Sequence, residues 1–187
     1  MNTNLCLFPV LFFLQVLTLC SGNYVQEHNA IRSMVDPPAA NMKKLMYSRE
    51  LESIAQRHSS GCSFNHNDHR SRQSHLFSSV GENIFYGRKG DNITDAIEYW
   101  REQGDYYNIR TNECQLFKFC EYYTQVTWAY SNYVGCGKSD CGENSFIVCN
   151  YASSSTLNQR PYLPGSSCAA CSRHYVCQEK LCILTFK

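Results

Sequence analysis

The sequence predicts an α+β sandwich rather than a wound βαβ fold, because helix-like patterns come first along the chain and strand-like patterns come later. Three short runs rich in aromatic and β-branched residues lie at positions 120–128, 134–137 and 146–151. Asparagine and glycine residues separate these runs, which is typical of strands joined by turns. Four cysteines, at positions 120, 136, 141 and 149, lie in the same region. We therefore expect a disulfide-pinned sheet that is covered by helices.

The N-terminus has the pattern of a secretory signal peptide. Residues 5–19 form an apolar run that is followed by Cys20-Ser21-Gly22, small residues that suit signal-peptidase cleavage. The run is too short to span a bilayer, and no second apolar segment follows it. A buried N-terminal helix is the weaker interpretation, because nothing polar interrupts the run at helical spacing. We predict that residues 1–22 are a signal peptide, that the chain is secreted, and that it has no transmembrane segment.

The cysteine content and one sequon predict an extracellular glycoprotein. Of the twelve cysteines, Cys6 and Cys20 lie in the predicted signal peptide, so ten remain. An even number at this density predicts about five disulfides in an oxidising compartment. The formal net charge is +1 and no basic block occurs, so we expect no nucleic-acid partner. The sequon Asn92-Ile93-Thr94 makes Asn92 the predicted glycosylation site.

Two helices are predicted in the first third of the mature chain. Residues 24–35 place apolar side chains at spacings of three and four, and Pro37 stops the pattern. Residues 42–60 repeat the helical spacing, with Ser48 as a candidate N-cap for residues 49–58.

A polar segment, a strand and a third helix follow. Residues 62–79 are polar and have no periodicity, whereas residues 81–87 are a short apolar run between glycines that indicates an extended strand. Residues 92–107 carry apolar side chains at helical spacing, and Asp91 or Asn92 is the candidate N-cap.

The C-terminal part changes in composition after residue 151. Serine, threonine, proline and glycine dominate residues 153–167, which predicts an extended linker. Four cysteines follow within a short stretch, at positions 168, 171, 177 and 182. A zinc site is one interpretation of this spacing, but a two-disulfide knot is favoured in a secreted chain. The predicted layout is a main domain at residues 23–157 and a linker with a Cys-rich tail at residues 158–187.

Seven motifs occur in an order that resembles the CAP superfamily of cysteine-rich secretory proteins, antigen 5 and pathogenesis-related proteins. They are His28-Asn29-x-x-Arg32, Pro38-Ala-Ala-Asn-Met42, Cys62-x-Phe-x-His66, Gly81-Glu-Asn83-Ile, Tyr123-Thr-Gln-Val-x-Trp128, Val134-Gly-Cys-Gly and Val148-Cys-Asn-Tyr151. The chain looks most similar to the glioma pathogenesis-related branch. That branch shares the Cys114 and Cys120 pair and a short Cys-rich tail after a segment that matches Pro161-Tyr162 and Gly165.

The resemblance implies a three-layer α-β-α sandwich with a central antiparallel sheet of three strands and a short disulfide-knotted tail. It also implies five disulfides, namely Cys62–Cys141, Cys114–Cys120, Cys136–Cys149, Cys168–Cys177 and Cys171–Cys182. The sequence alone does not establish this connectivity.

Members of the superfamily carry a cleft tetrad of two histidines and two glutamates, and this chain departs from it at two positions. The first histidine and the first glutamate fall on His66 and Glu82. The second glutamate falls on Gln103 and the second histidine on Tyr122. Glu102 is one residue from the expected position, but one step along a helix turns a side chain by about 100°. We therefore expect Glu102 to point elsewhere.

The altered tetrad argues against a metal and against catalysis. Zinc takes about four N, S or O donors, whereas a neutral amide and a neutral phenol replace a carboxylate and an imidazole here. The ten remaining cysteines are expected to be paired, which leaves no thiol nucleophile, and the sequence has no Gly-x-Ser-x-Gly motif. We predict no metal site, no cofactor and no enzymatic activity, with His66 and Glu82 kept in a polar network.

The function that the resemblance implies is binding. Superfamily members mostly act as secreted ligands or carriers, and several work in the male reproductive tract or in defence. We predict a partner that is an extracellular protein, a cell surface, or a small lipid or sterol. The alternative is a hydrolase, with or without a metal, that uses the cleft of His66 and Glu82.

Overall fold

The computed structural model describes residues 23–156 and 158–185, so the predicted signal peptide lies outside the described residues. The helices of this part are α1 (Tyr24–Ser33), α2 (Arg49–Ser60), α3 (Arg70–Gln73), α4 (Ile93–Glu102) and α5 (Glu121–Val126). The strands are β1 (Met46–Tyr47), β2 (Gly81–Arg88), β3 (Tyr107–Asn108), β4 (Glu113–Cys114), β5 (Tyr133–Cys141), β6 (Asn144–Ala152), β7 (Tyr175–Gln178) and β8 (Leu181–Leu184). None of the helices among these residues combines the length and apolar character needed to cross a membrane.

The central sheet has the strand order β1-β5-β6-β2. Strands β5, β6 and β2 are antiparallel, but β1 runs parallel to β5. The sheet is therefore mixed, which corrects the expectation of a purely antiparallel sheet. The reason is that the chain entering α2 runs beside β5, where the Met46 amide donates to the Asn132 carbonyl at 2.8 Å and the Ser48 amide donates to the Val134 carbonyl at 3.0 Å.

Helices cover both faces of the sheet, which confirms the predicted three-layer α+β sandwich. On β6, Ile147, Cys149 and Tyr151 belong to a buried cluster with Trp100 of α4, whereas Phe146 and Val148 pack with Ala55 of α2. This alternation follows from the period of two along a strand. Helix α2 lies so close to β5 that a Cβ on Gly135 would overlap the backbone of Glu52. Glycine at this position is therefore required by the approach of the helix to the sheet.

The prediction of a strand at residues 120–128 is wrong, because residues 121–126 form α5. The Thr127 amide donates to the Tyr123 carbonyl at 2.9 Å, which is a helical bond of i to i−4. Val126 is buried in the cluster around Trp100. The Gln125 side chain donates to the Ser153 carbonyl at 3.0 Å. These tertiary contacts outweigh the strand propensity of the aromatic and β-branched residues, which is weak and depends on context.

The ends of the other helices also differ from the sequence pattern. Helix α2 is confirmed from Arg49, with the Ser48 hydroxyl accepting from the Leu51 amide, but residues 42–47 are extended instead of helical. Helix α1 ends at Ser33. The third predicted helix ends as an α-helix at Glu102 and continues as a 3-10 turn, Gln103–Tyr106.

Residues 23–156 and 158–185 contain five disulfides, and their pairs are those that the resemblance implies. They are Cys62–Cys141, Cys114–Cys120, Cys136–Cys149, Cys168–Cys177 and Cys171–Cys182. The last two hold the hairpin of β7 and β8. This hairpin packs on the rest of the protein, since Leu181 is buried in one cluster with Met42 and Tyr162.

Asn92 begins α4 with a capping box. Its Oδ1 accepts from the backbone amide of Thr94 at 2.8 Å, and the Asp95 carboxylate accepts from the backbone amide of Asn92 at 2.7 Å. The residue is exposed, and the cap uses Oδ1, so the Nδ2 atom that a glycan would modify is not the capping atom. The cap and the predicted glycan are therefore compatible.

Variants of Asn92 should separate the cap from the glycan. Asn92→Asp removes the sequon but keeps a capping oxygen, so its stability should match that of the enzymatically deglycosylated wild type. Asn92→Ala removes both, and should lower the free energy of unfolding by about 1 kcal/mol. Denaturant unfolding, with mass measurement of the secreted protein, tests both expectations. A wild-type mass equal to that of the polypeptide alone would refute glycosylation at Asn92.

Candidate binding cleft

The four predicted cleft positions come from four different elements. Glu82 is on β2, Gln103 begins the 3-10 turn after α4, and Tyr122 is in the first turn of α5. His66 lies in the loop between α2 and α3, which the Cys62–Cys141 disulfide ties to β5. The fold thus places one cleft position on the sheet and the others on elements beside it.

His66 and Glu82 form a hydrogen-bonded pair. The His66 Nδ1 atom is 3.0 Å from Glu82 Oε1. The Glu82 side chain is 0% exposed, whereas the His66 side chain is 44% exposed. Since a carboxylate oxygen can only accept, Nδ1 carries the hydrogen of this bond. The carboxylate therefore fixes the ring, and Nε2 makes no hydrogen bond to the described residues.

Neighbouring residues also use the Glu82 carboxylate. The backbone amide of Asn67 donates to Glu82 Oε1 at 2.8 Å. With its side-chain amide oriented to match its neighbours, Asn150 donates to Oε2 at 3.1 Å and accepts from the Ala55 amide at 3.2 Å. The carboxylate is thus the centre of a buried polar network, in which each bond compensates for lost hydration.

Gln103 and Tyr122 contact each other through the backbone. The Gln103 Oε1 atom accepts from the Tyr122 amide at 3.2 Å. The Tyr122 ring lies between two others, with centroids 6.2 Å from His66 and 6.2 Å from Trp100. Burial raises the pKa of the Tyr122 phenol above its ordinary value, and nearby Tyr99, Glu121 and Glu82 add to this effect. Tyr122 is therefore a neutral phenol at physiological pH.

Glu102 does not replace the missing carboxylate. It is exposed, whereas the adjacent Gln103 is only 8% exposed. This difference agrees with the rotation of about 100° per helical residue.

The donors at the cleft fit zinc poorly. A reactive zinc site commonly has three protein ligands, and here one imidazole and one carboxylate already bond to each other, while the Gln103 oxygen bonds to an amide. In the described ranges, one group of three His, Cys, Asp or Glu side chains brings its ligand atoms together, and it consists of Cys168, Cys171 and Cys182. All three belong to disulfides, so the hairpin does not form the zinc site considered above.

A second network of hydrogen bonds lies next to the cleft positions, and the sequence did not reveal it. His28 Nδ1 lies 2.7 Å from the Tyr24 carbonyl, so Nδ1 carries the hydrogen and Nε2 accepts from the Tyr151 hydroxyl at 2.8 Å. Asn83 donates to the Tyr122 carbonyl at 2.9 Å and lies 3.5 Å from the same hydroxyl. The chain of contacts thus connects α1 through β6 and β2 to α5.

Arg32 is a further structural residue in the same region. It is 1% exposed, and its guanidinium donates to four backbone carbonyls, at Lys43, Val126, Trp128 and Ser131. These bonds hold α1 to the segment before β1, to the last residue of α5 and to the chain that follows α5. The signals for both networks were present, since His28 and Arg32 are motif residues, but the pattern of a motif does not identify a partner far away in sequence.

A surface groove of about 780 Å³ lies apart from the four cleft positions. It is lined by residues 109–112, 158–160 and 162–164 and by Tyr130. Its lining combines Ile109, Tyr130 and Leu163 with Arg110 and Arg160. A volume of this size is within the range of small-molecule sites.

Comparison with known proteins gives consistent relatives. The family model "CAP: Cysteine-rich secretory protein family" matches residues 25–151. Glioma pathogenesis-related protein 1 of Mus musculus is 34% identical over 85% of this chain and 62% of its own length. GLIPR1-like protein 1 of Homo sapiens is 34% identical over 86% of this chain and 69% of its own length. Peptidase inhibitor 16 of Bos taurus is 31% identical over 95% of this chain but only 40% of its own length. The chain thus spans less than two thirds of the mouse and bovine relatives.

Solved structures show the same architecture. Venom allergen-like protein 4 of Schistosoma mansoni has a TM-score of 0.66 and is 29% identical, with 76% of this chain and 92% of that chain covered. The structure "NaASP2 with Zn2+" has a TM-score of 0.68 and is 25% identical, with 86% of this chain and 93% of that chain covered. The likeness in fold therefore covers most of this chain.

Proposed function

The chain belongs to the CAP family of cysteine-rich secretory proteins, and on that premise we propose that it is a secreted, non-catalytic protein that binds an extracellular partner. The partner is a lipid or sterol, a cell surface or a protein. Five disulfides and the family membership support an extracellular location. In this proposal residues 1–22 are the signal peptide, residues 23–157 the CAP domain, and residues 158–187 the linker and tail.

The observation that carries the non-catalytic proposal is the replacement of two of the four tetrad residues. Gln103 and Tyr122 supply no charge, and the Gln103 oxygen is occupied by the Tyr122 amide. The related structure "NaASP2 with Zn2+" holds zinc, but this chain offers one imidazole at the cleft. General acid–base or nucleophilic catalysis needs a second reactive group at hydrogen-bond distance from the base. The hydrogen bonds of the described residues place no hydroxyl beside the His66 ring.

A hydrolase is the second candidate, and one observation favours it. The buried Glu82 orients the His66 ring through Nδ1, and Nε2 makes no hydrogen bond to the described residues, which is the arrangement of a general base held by a carboxylate. A water molecule at Nε2 is the nucleophile that such a mechanism needs.

The variant Glu82→Gln separates the two candidates, because glutamine keeps the size of the side chain and one acceptor oxygen. We expect the purified wild type to hydrolyse model esters and peptides no faster than Glu82→Gln or His66→Ala. Wild-type turnover that both substitutions abolish, with folding checked by near-UV circular dichroism, would establish the hydrolase instead.

Partner capture tests the binding half of the proposal. The bovine relative is named as a peptidase inhibitor, so extracellular peptidases belong in the panel of protein partners, together with sterols and fatty acids. We expect saturable binding to at least one partner class, unchanged in Glu82→Gln. Binding that disappears in this variant would assign the partner to the His66–Glu82 cleft.

A further inference from the structure

The loop at residues 115–119 exposes three large apolar side chains. Leu116 is 76% exposed, Phe117 is 91% exposed and Phe119 is 74% exposed. Together they present roughly 400 Å² of apolar surface, which is the size of patch that marks an interaction site on a soluble domain. We call these five residues the apolar loop.

The apolar loop is closed and anchored at its base. The disulfide Cys114–Cys120 joins its ends. The Gln115 amide donates to the Tyr106 carbonyl at 2.8 Å, and the Lys118 amide donates to the Gln115 carbonyl at 3.0 Å. The Lys118 ammonium lies over the Tyr106 ring, 4.3 Å from its centroid. The backbone is therefore fixed, so that binding through the side chains requires little ordering of the loop.

The backbone at Phe117 has a conformation that is uncommon for a bulky residue. Its φ is +62°, in the left-handed region that a bulky side chain rarely adopts. Glycine or asparagine would satisfy this turn at lower conformational cost. Unfavourable backbone conformations of this kind cluster at ligand-binding and switch sites.

From these observations we propose that the apolar loop inserts into the interface of a lipid bilayer with zwitterionic headgroups. Side chains that are about three quarters or more exposed protrude from the protein, and a protruding tip enters a fluid phase without a matching pocket. The pair of Lys118 and Tyr106 places a cation and an aromatic ring at the base of the tip, where headgroups lie. This inference rests on the proposed binding function and names its partner.

Charge selects the type of membrane. Within the apolar loop Lys118 is the charged residue, but Glu113 and Glu121 flank the two cysteines and are exposed. An anionic surface would attract the lysine and repel both carboxylates, so a neutral headgroup layer fits better. A glycan on Asn92 would start at the opposite end of α4, about 15 Å along the helix axis, and would leave the tip free.

The expected affinity is low. A single myristoyl chain gives a membrane association constant of about 10⁴ M⁻¹, and three side chains that bury only in the interface should give about 10³ M⁻¹. About half of the protein should then sediment with phosphatidylcholine vesicles at roughly 1 mM lipid, and salt should change this little because the contact is apolar.

The test compares two double variants of the full secreted chain. Phe117→Ser with Phe119→Ser should lower the association constant with phosphatidylcholine vesicles at least about tenfold. Met34→Ser with Leu76→Ser is the matched control, because these residues are 69% and 73% exposed but lie outside the loop. Its vesicle binding should equal that of the wild type. In addition, Phe117→Trp should show a blue-shifted emission when vesicles are added.

The outcomes are distinct. Absence of wild-type sedimentation, or equal binding of the loop variant and the control variant, would overturn the membrane proposal. So would loop variants that lose a purified protein partner while no form binds vesicles, because the loop would then be a protein interface. None of these results tests whether the protein is catalytic. The hydrolysis assay, which uses no vesicles, tests that separately.

Discussion

The double variant Gln103→Glu, Tyr122→His should gain a zinc site that we predict the wild type does not have. The rings of His66 and Tyr122 have centroids 6.2 Å apart, close to the roughly 5 Å expected for two imidazoles that share one zinc ion with bonds of about 2 Å. Glutamate at position 103 adds a carboxylate where the side chain is already buried. Each restored donor strengthens binding, so the dissociation constant for zinc should fall by at least about a hundredfold. Calorimetric titration at pH 7 measures this change.

Two sets of control variants test whether the restored donors form one zinc site. Each single substitution should recover only part of the gain, because a tetrahedral site with one donor missing is weak. Adding His66→Ala to the double variant should abolish the gain. A double variant that folds normally but takes up no more zinc than the wild type would show that the positions do not form one site.

Lowering the pH from about 6.5 to about 4 should destabilise the protein through His28. Burial lowers the pKa of His28 from 6.5 to about 4, and its hydrogen bond to the Tyr24 carbonyl opposes this only in part. Because the folded-state pKa lies below the unfolded value, the unfolded chain binds a proton in this window that the folded chain does not. The contribution is therefore fully present above pH 6.5 and is lost as the pH falls through 4. The difference between 6.5 and 4 corresponds to up to about 3 kcal/mol.

Replacing His28 isolates its contribution from that of the carboxylates. His28→Gln offers the Tyr151 hydroxyl an acceptor that does not titrate, so denaturant unfolding should depend less on pH between 4.5 and 6.5 than in the wild type. His75→Gln is the matched control, since this histidine is exposed and lies outside both buried networks. It should keep most of the wild-type slope. Identical slopes for wild type and His28→Gln would refute the assignment.

Much of the fold could be predicted from local sequence signals. Ser48 and Asn92 begin helices because a short polar side chain before an apolar pattern caps a helix end. Helix α5 was missed because the aromatic and β-branched residues of this stretch favour a strand, and only distant contacts such as Gln125 with the Ser153 carbonyl make the helix stable. Strand β1 has two residues, too few for any periodicity to appear.

The cleft positions were predictable to a different extent. Motif matching identified the four positions, which are His66, Glu82, Gln103 and Tyr122. The neutral side chains of the last two then predicted the loss of charge. The partner Asn150 was not predictable, because it meets Glu82 through the register of β2 and β6, which pairs the two residues directly. A polar residue in the middle of the apolar run of β6 was the available signal. Pairing across strands is a tertiary property, so the motif alone could not name the contact.

Titration of the unmodified chain with zinc tests the central claim most directly. The claim is that this protein keeps the CAP fold, whereas its cleft has lost the donors that hold a metal. We predict no stoichiometric heat with zinc at micromolar protein concentration, and equal traces for the wild type and His66→Ala. Tight uptake of one zinc ion per chain that depends on His66 would contradict the account.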